Sequence, residues 1–188
     1  MAGILSVLYT SIFALPVPFA PVHLLFMNLL TDSLPAIAIG MEPPEDNLLS
    51  KKPRDPKESI LNKSFMLELL LQGGLIAVCT MIAFHMGLNT SPALASTMAF
   101  ATLTLARLFH GFNCRSDSSI FKIGLLSNKS SIGAFVAGIA MLALVIFVPF
   151  LWSLFEIAAL SSDNLLAILG LAFAPTVVIQ LVKIVKNR

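Results

Sequence analysis

Charge is scarce in this sequence. Asp, Glu, Lys and Arg make up 12% of its 188 residues, about half the roughly 25% of an ordinary soluble domain. A water-facing surface for a chain of this length needs far more, so a soluble globular fold is excluded and the bilayer becomes the natural solvent. The formal net charge of +2 carries no basic excess of the kind nucleic acid attracts, and no nucleic-acid partner is expected. Cysteine is nearly absent: Cys79 lies inside an apolar run and Cys114 at the end of another. Two such residues make neither a disulfide framework nor a metal-ligand spacing and read as small hydrophobic side chains. No basic region precedes the first apolar run and no small-residue cleavage site follows it, so no secretory signal is expected. No internal repeat is visible, and the one biased segment is a Pro- and Lys-rich stretch at 42–63.

What is present is apolar sequence in long runs. The hydrophobic share is 57% and the mean hydropathy +0.90. Five segments reach the roughly 20 residues that a membrane-crossing helix needs, at 21–40, 65–87, 92–112, 132–152 and 164–182. A sixth, at 3–15, reaches only about 20 Å at 1.5 Å per residue, short of a core about 30 Å thick. It runs into Pro16, Pro18 and Pro21, a tight turn into the next span. The expectation is an all-α polytopic membrane bundle of about six segments with the first truncated, as though the chain began inside a longer helix. It forms a single membrane domain over 1–188 with a cytoplasmic loop at 41–64. Of the 12 Lys and Arg residues, all but Arg107 fall in 51–63, in 115–129 or after 182. The connections at 17–20, 88–91 and 153–163 contain none. By the positive-inside rule the basic loops and the C-terminus are cytoplasmic.

Polar residues inside the spans are few and costly. Asn28, Thr31 and Asp32 stand at i, i+3 and i+4, one face of a helix. A carboxylate near mid-membrane costs about 2.5–3.5 kcal/mol by insertion scales, so it normally pairs or lines an ion path. Pro35 has no N–H, which deprives the Thr31 carbonyl of its helical partner and bends or unwinds the helix there. Carboxylate, amide, hydroxyl and freed carbonyls together are the oxygen set that hard cations take. Broken helices near the midplane are where transporters place such a set. The plainer alternative is an Asp32 that is protonated or salt-bridged to hold the bundle together. Arg107 lies at a similar depth. It is either the counter-charge of Asp32, a filler of a place where a second cation would sit, or a side chain snorkelling to the interface. His110 reads as an interfacial hydrogen-bonding group. His23 and His85 lie toward the outer half, with no cluster joining them, and Glu68 reads as a solvated helix-start carboxylate. Gly73–Gly74 and the Gly133/Gly138 spacing suggest close helix packing.

At this point the residues resemble a known family. The run from Val22 through Asn28, Thr31, Asp32 and Pro35 to Ala36 is similar to the sixth transmembrane helix of calcium-type P-type cation-transporting ATPases. Glu42-Pro43-Pro44, then Lys52-Pro53-Arg54-Asp55-Pro56-Lys57-Glu58, resembles the family's loop between helices six and seven. The resemblance covers the whole chain as the membrane region from part of helix five through helix ten. It is strong to about residue 65, moderate over 97–113 and topological beyond.

The resemblance implies that Asn28, Thr31 and Asp32 are calcium ligands. It also marks departures: Gly3 and Arg107 stand where two-site pumps carry glutamate ligands. A single-ion site with Arg107 in place of the second ion follows as an expectation. Lys52, Pro53, Arg54, Pro56, Lys57 and Glu58 would belong to a loop that couples the phosphorylation domain to the site. The family's phosphorylated Asp-Lys-Thr-Gly motif and any phosphate-cradling Gly-rich loop are absent from these residues. The chain is therefore not expected to be an enzyme on its own. Ca²⁺ is the expected transported ion, with Mn²⁺ a neighbour by ligand chemistry; ATP and Mg²⁺ would act only in the intact parent. The expected surroundings are membrane lipid, in a bacterial-type plasma membrane. The expected partner is the catalytic part of the pump. A non-catalytic membrane scaffold derived from a pump is the competing function.

Overall fold

The computed structural model describes residues 1–42, 62–116 and 119–186. The described residues form helices joined by turns and short irregular stretches, with no strand among them. The expected coupling loop, Lys52, Pro53, Arg54, Pro56, Lys57 and Glu58, lies outside them, as does most of the wider 41–64 loop. The chain begins with α1 (Ala2–Ile12) and turns through the prolines into α2 (Pro21–Phe26). A π turn (Met27–Thr31) follows, and then α3 (Ser33–Gly40). Next come α4 (Lys63–Leu88), α5 (Pro92–Asn113), the short α6 (Ile120–Ile123), α7 (Lys129–Phe147), α8 (Pro149–Phe155) and α9 (Ser162–Lys186). Five stretches are long and apolar enough to cross a membrane: Pro21–Gly40, Phe65–Leu88, Pro92–Asn113, Lys129–Phe147 and Ser162–Val185. α1 is apolar but shorter.

The long helices start where side chains can cap their free N–H groups. Asn62 Oδ1 accepts from the Phe65 N–H at 2.8 Å, Ser91 Oγ from Leu94 at 3.1 Å and Asn128 Oδ1 from Ser131 at 3.0 Å. The Asn128 cap moves the fourth long span upstream of its expected place, to begin at Lys129 rather than at 132. Its other end also differs. Val148 is extended (φ −96°, ψ 106°) ahead of Pro149, because a proline ring disfavours helical conformation in the residue before it. The helix therefore stops at Phe147, and residues 149–155 form a separate short helix.

α5 is the centre of the bundle, packed between α4, α7 and α9. Ala95, Met98, Ala99, Phe100, Ala101 and Leu103 are fully buried. Small residues let the backbones approach closely. A Cβ on Gly87 of α4 would stand 2.7 Å from the Ala95 backbone, and one on Gly138 of α7 would stand against the Leu108 side chain. A Cβ on Gly73 would stand 2.9 Å from Met1 Cβ, whereas one on Gly74 or Gly133 would meet nothing within 4 Å. Each suspected glycine pair thus contributes one tight contact.

Candidate cation site

The helix that carries Asn28, Thr31 and Asp32 is not a continuous α-helix. The Asp32 N–H donates to the Met27 carbonyl five residues back, at 2.9 Å, which makes residues 27–31 a π turn. The local departure is thus a widened turn rather than an unwound one. Pro35 accounts for its position: its ring crowds the carbonyl four residues earlier and offers no N–H to it. Widening the preceding turn takes up that misfit, and such π turns occur frequently at functional sites. Regular bonding resumes with Ala36 N–H to Asp32 O at 3.2 Å. The Ser33 hydroxyl donates to the Asn28 carbonyl at 3.2 Å.

Asp32 meets Arg107 of α5. Arg107 Nη1 donates to Asp32 Oδ2 at 2.7 Å, with side-chain exposures of 23% for the arginine and 40% for the aspartate. The guanidinium engages one carboxylate oxygen, and neither group is enclosed. Behind Arg107 lies α1. A Cβ on Gly3 would be 3.5 Å from Arg107 Nη2 and 3.7 Å from Leu103 Cδ2. The two positions that depart from the two-site pattern are therefore neighbours, and the guanidinium occupies the space beside the glycine. Arg107 also borders a cavity of about 660 Å³, whose lining includes Met1, Glu68, Gln72, His110 and Lys183. Glu68 is exposed, in the second turn of α4, where it accepts from Gln72 Nε2 at 2.7 Å; it is a solvated carboxylate just past the helix start, on the rim of the cavity.

Of the residues singled out from sequence, Asp32 and Arg107 are brought into contact and Pro35 sits one turn beyond the π turn. The Asn28 side chain is exposed. Thr31 falls in the π turn, and its side chain lies outside the described set. His23 and His85 have other partners. Tyr9 OH and His85 Nε2 lie 2.9 Å apart. His23 is fully buried, stacked on Phe100 at 4.2 Å. Its Nδ1 accepts from the Ala20 N–H at 3.1 Å, and its Nε2–H donates to the Phe155 carbonyl at 2.6 Å. No group of three or more His, Cys, Asp or Glu stands ready for a metal among the described residues.

Sequence reasoning missed the cluster just beyond the C-terminal end of α3. Arg115 Nε and Nη2 donate to Glu42 Oε2 and Oε1 at 2.9 and 2.6 Å, and Asn128 Nδ2 donates to Glu42 Oε2 at 2.6 Å. These hydrogen bonds from Arg115 hold the Glu42 carboxyl below the usual glutamate range, outweighing the opposing effect of burial. Glu42 stood in the sequence as part of a family motif and Arg115 as one of the basic-loop residues. Nothing in their separation along the chain announced that they meet. A second polar cluster ties α5 to α9. Gln180 Nε2 donates to Asn113 Oδ1 at 2.7 Å, and Lys183 Nζ donates to the carbonyls of Asn113 and Ser116.

A polytopic helical bundle with an acidic and a basic side chain paired within its spans defines a class, the membrane proteins that handle charge inside the bilayer. The chain belongs to the family Cation transporting ATPase, C-terminus, which matches residues 16–185. Among its relatives, a calcium-transporting ATPase of Bacillus subtilis is 38% identical over 176 residues, covering 92% of this chain. Calcium-transporting ATPase 1 of Lactococcus lactis is 37% identical over 192 residues, covering 99% of it. Calcium-transporting ATPase type 2C member 1 of Bos taurus is 33% identical over 175 residues, covering 92% of it. The chain spans only about a fifth of these relatives, 20%, 22% and 18% of their lengths.

Proposed function

We propose that this chain is the ion-translocating membrane part of an ATP-driven calcium pump. It carries the sixth-helix share of one Ca²⁺ site, through Asn28, Thr31 and Asp32. The observation that carries the proposal is the Arg107–Asp32 contact at 2.7 Å with Gly3 directly behind the guanidinium. A fixed cation there compensates part of the carboxylate's charge and leaves Oδ1 of Asp32 for the transported ion. Where a second ion would need glutamates, the chain has a glycine and an arginine, and two like charges at such a distance repel strongly at low dielectric. Oxygen ligands suit Ca²⁺, and Mn²⁺ remains an alternative substrate by the same chemistry. The π turn and Pro35 give the helix a compliant point beside the carboxylate.

In this scheme the phosphorylation and nucleotide domains come from sequence outside these residues, with ATP and Mg²⁺ acting there, and this chain alone hydrolyses nothing. The loop with Lys52, Pro53, Arg54, Pro56, Lys57 and Glu58 relays the movement of those domains. The basic ends of the bundle face the cytoplasm of a bacterial-type plasma membrane.

The test is a chimaera in which this chain, Gly3 included, replaces the matching region of the Lactococcus lactis relative, whose similarity covers 99% of it, assayed by calcium-45 uptake per ATP in vesicles. Asp32→Asn is expected to abolish uptake. Arg107→Glu is expected to raise the calcium-to-ATP ratio or to change its dependence on pH. Normal uptake by Asp32→Asn would reject the site, and an unchanged ratio and pH profile in Arg107→Glu would reject the single-ion assignment. Manganese supporting ATP turnover where calcium does not would transfer the same site to Mn²⁺. A chimaera that inserts, binds neither ion and still associates with other membrane proteins would favour the scaffold.

A further inference from the structure

Arg115 uses every N–H of its guanidinium, and binding of a cation at Asp32 does not account for it. Nε and one Nη2 hydrogen go to the two oxygens of Glu42, and the other Nη2 hydrogen goes to the Ser127 hydroxyl. Nη1 donates to the carbonyls of Leu125 at 3.1 Å and Gly124 at 3.5 Å. The arginine side chain is wholly buried and the Glu42 side chain 17% exposed. A fork that matches a carboxylate with both teeth fixes orientation as well as distance.

Glu42 follows the last turn of α3, and its N–H donates to the Ile39 carbonyl at 3.0 Å. A carboxylate at a helix C-terminus faces the negative end of the dipole, so this placement calls for a cation beside it, which Arg115 supplies. Asn128 adds a second tie. Its Nδ2 donates both to Glu42 Oε2 and to the Ala38 carbonyl, at 2.9 Å in the latter case, while its Oδ1 caps α7. The C-terminal end of α3 is thereby bound to the start of α7 and to the segment leading into it. At the other end of the same span, His23 binds α2 to the Phe155 carbonyl and to Phe100. Between these two anchored ends lies the π turn.

We infer that Glu42, Arg115 and Asn128 are positioning residues for the cation site: they clamp the C-terminal end of α3 to the 115–131 segment, so that rearrangement on ion binding is confined to the π turn and Asp32. This rests on the reading of Asp32 as a cation ligand. Partners hydrogen-bonded directly to metal ligands change affinity about 10–100-fold when lost; this clamp acts on Asp32 only through the backbone of α3, so its effect is expected at the lower end of that range, about tenfold.

Asn128→Asp separates clamp from scaffold. Aspartate caps a helix as well as asparagine does, so α7 keeps its start. Both donors to the site helix disappear, and a second carboxylate faces Glu42. In the chimaera, the calcium concentration for half-maximal uptake is expected to rise about tenfold, with the maximal rate changed by less than about twofold. An unchanged half-maximal concentration in Asn128→Asp, with Asp32→Asn still inactive, overturns the clamp and leaves the cation site standing. Normal uptake in Asp32→Asn instead removes the site itself. Hydrogen exchange of the 188-residue chain in lipid nanodiscs gives an answer that needs no turnover. Asn128→Asp is expected to speed exchange in 33–42 and to leave 92–113 unchanged, and equal exchange in 33–42 overturns the clamp.

Discussion

The span at 21–40 and α5 are built on opposite plans. In the most apolar stretch of α5, 72% of the residues are buried within the protein, against 25% in the most apolar stretch of Pro21–Gly40. α5 is one unbroken helix of 22 residues, whereas 21–40 is two short helices joined by a π turn. Yet the two regions share the charged pair, Arg107 from α5 and Asp32 from the junction of the π turn and α3. The difference assigns roles. A helix packed on α4, α7 and α9 cannot shift without disturbing the whole core, so it serves as the fixed reference. A broken, lightly covered helix tied at both ends bends at little cost in packing, and it carries the proposed ligands. The guanidinium belongs to the fixed partner and the carboxylate to the compliant one.

The contrast can be tested from its strongest term downward. Arg115→Ala leaves Glu42 without its cation and is expected to destabilise the chain by about 3–5 kcal/mol, as removal of one partner from a buried pair does. Denaturant titration in micelles measures this, and a loss within error of zero would mean that the C-terminal end of α3 is not held there. Pro35→Ala makes the site helix more like α5 by restoring an N–H. It should stabilise the chain, by up to about 3 kcal/mol, while weakening calcium binding in the chimaera. Stability and affinity rising together would break the link between the π turn and the site. Glycine substitutions compare packing directly. Gly87→Ala drives a Cβ to 2.7 Å from the Ala95 backbone, whereas Gly40→Ala meets nothing within 4 Å. The first should cost about 1–3 kcal/mol and the second close to nothing. Equal costs would erase the distinction between the two regions.

The smallest effect is acid sensitivity. Because the folded state depresses the Glu42 pKa, its contribution is complete above the ordinary glutamate value of 4.5 and is lost as pH falls through the lower folded value. Stability of the wild-type chain should therefore decline below about pH 4.5 more steeply than that of Glu42→Gln, read from thermal unfolding at a series of pH values.

Much of this was legible in the linear chain. Long apolar runs with so few charges admit only membrane-spanning helices, because unpaired backbone groups are not tolerated in lipid. The motif around Asn28, Thr31, Asp32 and Pro35, with Glu42-Pro43-Pro44, pointed to the cation-transporting ATPases, and the family match over 16–185 bears that out. The helix boundaries were less legible. The Asn128 cap and the Val148–Pro149 break moved the fourth long span, because apolar character continues across a break that one proline imposes. The glycines announced close packing but not which member of each pair made it, since that depends on which face the neighbouring helix covers.

The sequence by itself determined that the chain is helical and membrane-embedded, where its costly charges lie, and which family it belongs to. Each of these follows from local composition, spacing or a contiguous motif. Tertiary structure alone decided that Gly3 lies behind Arg107 and that Glu42, Arg115 and Asn128 form one cluster. Glu42 and Arg115 are 73 residues apart and Glu42 and Asn128 are 86 apart. No periodicity spans such separations, and only the packing of α3 and α7 around α5 brings those side chains within hydrogen-bonding distance.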